Sequence, residues 1–171
     1  MDNVEIVKTL MEHVRQSFID VMENVDQEVA DWLPPGEAHP IRMSNLHCLW
    51  AEDRFINVFL QEAPTIWSVI GLEEKTGLIP GRLPSAEWAR STPIDINQLR
   101  EVYMPALFEG TDKYLGSLKS DDLDKPVKSD VENLNGLKAG EILIRFALHN
   151  ANHIGEIASQ KGTQGLKGYS F

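Results

Sequence analysis

Cysteine occurs once, as Cys48, in a chain of 171 residues. A single thiol forms no intramolecular disulfide and no cysteine-rich zinc site. Basic side chains are also scarce: 16 Lys and Arg stand against 26 Asp and Glu, a formal net charge of -10. Nucleic acid and anionic membrane surfaces are held by basic patches, so neither is an expected partner. No stretch approaches the roughly 18 consecutive apolar residues of a membrane span. The opening MDNVEIVKTL carries acidic residues and no uninterrupted apolar run, unlike a signal peptide. The expected setting is soluble, reducing and cytoplasmic. Also missing are G-x-S-x-G, a P-loop and G-x-G-x-x-G, which leaves serine hydrolysis and nucleotide chemistry without a motif. There is no internal repeat, no low-complexity tract and no sustained strand alternation.

What is present is helical periodicity. Hydrophobic residues make up 42% and charged residues 25%, the balance of an ordinary globular domain, and the length suits one domain over 1–171. Val4, Val7, Met11, Val14, Phe18, Val21 and Val25 recur every three or four residues, predicting a first helix over 3–25. DWLPPGEAHP, residues 31–40, breaks the pattern with Pro34, Pro35, Gly36 and Pro40, and places His39 in a loop. A second helix is expected from Met43 to Leu60, with Met43, His47, Trp50 and Arg54 on one face. Residues 64–94 are interrupted by glycine and proline, leaving room for short helices around Trp67 and Trp88. A third helix is expected from Asp95 to Leu118, kinked at Pro105. A fourth should run from Ala139 to Gln160. The spacing therefore predicts an all-α four-helix bundle with a long irregular crossover between helices 2 and 3.

Three of the five histidines attract interest. His149 and His153 are four apart, which places their Cβ atoms roughly 5–6 Å apart on one helix face. Composition alone yields about 0.14 such pairs, so the spacing by itself is weak. Ile142, Phe146, His149 and His153 continue one stripe, however, and that stripe is apolar at its start. His47 lies between Leu46 and Cys48, in line with Met43 and Trp50. Buried imidazoles need hydrogen bonds, water or a metal. Three imidazoles without a fourth protein ligand leave one position open, the layout of catalytic zinc. The competing reading is three core histidines bonded to backbone or to each other, in a non-catalytic bundle that binds a small ligand or a partner. His13 reads as a solvated surface residue, Cys48 as a small buried hydrophobe, and Glu52 and Asp53 as surface or interhelix pairing. Trp50 is either core or a pocket wall. Substrate walls are expected from residues 61–94, at Trp67 and Trp88.

The order of these features, LHCLWAEDRF in the second helix and HNANHIGEI in the last, resembles the DinB/YfiT-like superfamily of metalloenzymes. DWLPPGEAHPI and GTQGLKGYSF are similar to family features as well, so the likeness spans essentially the whole chain. The resemblance implies an up-down-down-up bundle and His47, His149 and His153 as ligands of zinc, nickel or iron. It also implies a homodimer and a small-molecule substrate whose identity stays open. The reactions implied are thiol-dependent S-transfer or isomerisation with a low-molecular-weight thiol; hydrolysis is the further reaction expected of an open metal site. Where many relatives read H-R-G-Q, this chain has His153, Ile154, Gly155 and Glu156. Glu156 shares the histidine face, where it would orient a ligand imidazole, serve as a base, or become a fourth ligand. Otherwise it is a solvated helix-end glutamate.

Overall fold

The computed structural model describes residues 1–81 and 83–169. Among these there is no strand, only an isolated antiparallel bridge between Pro126 and Lys138. Helix α1 (Asn3–Val21) starts from a capping box: Glu5 N donates to the Asp2 carboxylate, and Asp2 N donates to Glu5 Oε2, both at 2.9 Å. It buries Val4, Val7, Met11, Phe18 and Val21, the stripe read from the sequence. The helix stops one turn earlier than expected. Asn24 adopts a left-handed φ of 59°, which asparagine tolerates, and Val25 still reaches the core from the turn. The exposed end is sealed from the far end of the chain. Lys161 Nζ donates to the carbonyls of Val21 and Glu23 at 2.8 and 2.7 Å, a cation set on a helix C-terminus.

After α2 (Gln27–Asp31) comes the central helix α3 (Ile41–Asp53), buried at every position but His47. It begins two residues before the expected start, directly after Pro40. It continues as a π-helical segment, Arg54–Leu60, so the second rod ends where the sequence placed it. The crossover then carries α4 (Ile66–Val69), α5 (Leu72–Thr76) and α6 (Ala86–Ser91). The third rod consists of α7 (Ile96–Gln98), a π-helical segment Leu99–Tyr103, and α8 (Met104–Ser117). The irregularity expected at Pro105 takes the form of this widened turn just before it. A π turn accommodates a missing backbone donor without breaking the rod. Helix α9 (Ala139–Thr163) runs three residues beyond the expected Gln160 and packs on both α1 and α3, while α8 packs on α3. Phe18, Leu46, Leu49, Leu107 and Ile157 meet in the core between them.

Two consecutive acidic residues fasten α3 to its neighbours. Both are buried, so of the two readings, surface group or interhelix pairing, the second holds. Glu52 accepts from Thr111 Oγ1 at 2.7 Å and from Arg15 at 3.3 Å, and Arg15 also pairs with Asp112. Burial pushes the Glu52 carboxyl up, and the Arg15 charge opposes this. Asp53 is 0% exposed. It accepts from the backbone of Ile66 and Trp67, from Asn57 Nδ2, and from Tyr103 Oη at 2.7 Å. Removing it orphans several buried donors at once. Asp53→Ala is therefore expected to cost about 3 kcal/mol or more, against about 1 kcal/mol for Tyr103→Phe, where one donor is lost. Urea denaturation of the two variants beside the wild type checks the ordering.

Candidate metal centre

Helices α3 and α9 cross where His47 meets His149 and His153. The stripe through Ile142 and Phe146 is buried as expected, and it carries the two α9 histidines to a half-buried position facing His47. Ring centroids lie 4.9 Å apart for His47 and His149, 4.8 Å for His47 and His153, and 4.6 Å for His149 and His153. One ligand nitrogen from each residue lies within 4.8 Å of the other two. Among the described residues, no fourth side chain joins this group.

Burial lowers His47 to about 4, helped by the nearby His149 and His153. Burial likewise lowers His149 to about 4, with a further contribution from His153. Both rings are neutral near pH 7, so each keeps a nitrogen lone pair. His47 Nδ1 and His149 Nε2 are buried and have no hydrogen-bond partner, which is uncommon for interior polar atoms. The third ring is held differently. His153 Nδ1 lies 2.7 Å from Glu156 Oε2, and that hydrogen bond holds the Glu156 carboxyl below its usual range. An ionised carboxylate only accepts, so Nδ1 carries the proton of this hydrogen bond and Nε2 is the nitrogen left to ligate. Glu156 is exposed, yet its contact is with a histidine and not solvent alone.

A cavity of about 560 Å³ opens beside the histidines. His47, Trp50, Phe55, Phe59, Leu134 and His149 are among its lining residues. Trp50 is both core and wall: it is buried edge-on against Trp67 and also borders the cavity, with its indole Nε1 buried and unpartnered. The walls differ from those expected. Trp67 belongs to the core and donates to Leu78 O, and Trp88 packs half-buried against that core. Of residues 61–94, only Gly81 among the described residues borders this cavity. The missing wall comes instead from the loop after α8, through Val131, Asn133 and Leu134, and from Arg145 and Leu148 on α9. The signal for the loop was its valines and leucines in a polar stretch; the signal for Arg145 was its place four residues before His149.

The remaining candidates fall elsewhere. Cys48 is buried, and burial pushes its thiol up, with Glu156 and Glu52 adding to the shift, which suits a small hydrophobe and not a nucleophile. His13 is exposed and contacts Thr9 O. His39 stands close enough to bear electrostatically on His47 and Glu156, and its carbonyl accepts from Gln160. A larger cavity, about 910 Å³, lies on the side of α3 that carries Asn45 and contains no histidine.

The sequence profile of the DinB superfamily matches residues 10–157, and the chain belongs to that superfamily. A crystal structure of a conserved protein from Enterococcus faecalis superposes with a TM-score of 0.76 at 16% identity, covering 94% of this chain and 96% of that one. At that identity the likeness concerns the fold. No curated protein matches the chain.

The depressed imidazoles set a pH dependence. The unfolded chain takes up protons at His47 and His149 as pH falls below about 6.5, whereas the fold resists until about 4. Stability of the metal-free protein is therefore full above about pH 6.5 and declines as pH falls towards 4. Thermal melts in chelator across this range are expected to show the decline, and replacing both residues with Gln should flatten it.

Proposed function

We propose that His47, His149 and His153 hold one divalent ion, zinc, nickel or iron, and that the chain is a metal-dependent enzyme acting on a small molecule in the adjoining cavity. The observation that carries this reading is the pair of buried, unpartnered nitrogens on His47 and His149, set beside a third imidazole whose tautomer Glu156 fixes. Nitrogens sharing one tetrahedral zinc at about 2.1 Å lie about 3.4 Å apart. The present spread of 4.8 Å would have to close by roughly 1.4 Å, through rotation of the side chains. When bound, such an ion supplies Lewis acidity.

The protein's own groups supply the rest. Glu156 keeps the proton on His153 Nδ1 and so aims the other nitrogen inward, a positioning role. Phe55 lies stacked along His149, with centroids 6.3 Å apart, and limits how that ring turns. Phe59 and Leu134 make the neighbouring wall apolar and exclude water from it. Three protein nitrogens leave a coordination position for substrate, which suits the S-transfer or isomerisation with a low-molecular-weight thiol implied by the family resemblance, and suits hydrolysis as well. Among the described residues no helix is long and apolar enough to cross a membrane. The reading keeps the cytoplasmic setting and the homodimer that composition and resemblance imply.

Elemental analysis of the purified protein is expected to give about one ion per chain, lost in His153→Ala. Glu156→Gln should keep the ion but bind it about tenfold more weakly, measured by chelator competition. Full metal content in His153→Ala, or none in metal-replete wild type, would return the histidines to a structural role.

A further inference from the structure

The charge of the cavity runs against that of the chain. Asp and Glu supply 26 of 171 residues, yet none of the 14 residues lining the cavity beside the histidines is acidic. Two of those residues are arginines. Arg54 is committed, with one guanidinium nitrogen 2.8 Å from both carboxylate oxygens of Asp130 and the guanidinium over the Phe59 ring. Arg145 has no hydrogen bond or ion pair among the described residues. It sits one turn before His149 on α9, which places the two side chains on one face. Asn133, Asn152 and the two histidines apart, the rest of the surface is mainly apolar, chiefly Phe55, Phe59, Leu134 and Leu148.

We propose that this cavity takes an organic carboxylate with an apolar body, the carboxylate held by Arg145 and the body lying along Phe55, Phe59 and Leu134. The inference rests on reading the cavity as the substrate side of the histidine centre. A guanidinium with no partner presents planar donors that match a carboxylate. The absence of acidic groups from the wall removes the repulsion that would reject one, and disfavours a cationic ligand. The apolar wall requires that the ligand be more than a small anion.

The test uses three probes of one shape: 3-phenylpropionate, 3-phenylpropionamide and 3-phenylpropylamine. Each is titrated calorimetrically into zinc-treated and into chelator-treated protein. The carboxylate is expected to bind about tenfold more tightly than the amide in both forms, with the amine weakest. Arg145→Gln should abolish the preference for acid over amide, and Arg145→Lys should keep part of it. Arg145 is exposed, so neither variant threatens the fold, and zinc content by elemental analysis should not change. Equal binding of acid and amide, a preference that survives in Arg145→Gln, or no binding of any probe would overturn the proposal. The chelator-treated arm separates the two readings. Failure to retain zinc would remove the metal centre and leave the Arg145 result standing, whereas a preference seen only with zinc would assign the carboxylate to the ion and not to Arg145.

Discussion

Asp53 is a fully buried carboxylate with no cation paired to it among the described residues, and the geometry of the bundle depends on its hydrogen bonds. A buried carboxyl group in that position is tolerable only if hydrogen-bond partners surround it. The donors come from the crossover, from the π-helical continuation of its own rod, and from the third rod. Satisfying Asp53 therefore fixes where the crossover begins and where Tyr103 docks. Six residues earlier on the same helix, about 9 Å along its axis, is His47. The helix that presents the histidine is held at its far end by this side chain, with Glu52 beside it.

Glu52 extends the principle in the other direction. Through Arg15 it reaches α1, and through Thr111 it reaches α8, while Asp112 takes the second face of Arg15. Neighbouring acids on one helix thus point to different elements, as the 100° step between successive residues demands. Lys161 adds a third polar tie, from the last helix to the end of the first. Around a largely apolar core, these contacts help select one arrangement of rods. Hydrophobic burial alone would accept several.

The sequence made the rods legible because a buried stripe repeats every three or four residues whatever its tertiary partners are. The same stripe led to His149 and His153, and the run around Leu46 and Cys48 led to His47. What stayed hidden depends on contacts distant in sequence. The early stop of α1 depends on a turn at Asn24 and on Lys161, some 140 residues away. The burial of Glu52 and Asp53 depends on Thr111 and Tyr103, which no local pattern connects to them. Trp67 looked like a wall because its segment lacks periodicity, but lack of period marks irregular backbone and says nothing about exposure. The cavity wall around Val131 and Leu134 lies in a stretch whose polar composition masks the few apolar side chains that fold inward. Glu156 was legible as sharing the histidine face, though only the structure gave it a partner.

The contrast between an acidic exterior and a cavity wall without acids also bears on how a ligand arrives. An anion approaching a body of net charge -10 is repelled over the first several ångströms, and attraction begins only near the mouth, where Arg145 lies. The repulsion is long-ranged and is screened within a Debye length of about 10 Å at 0.1 M salt, whereas contact with a guanidinium is short-ranged and screened less. Ionic strength thus acts on the two stages unequally. Added salt speeds the encounter of an anionic molecule with this protein more than it loosens the bound state, the reverse of the behaviour of a protein that draws its ligand in by an overall opposite charge.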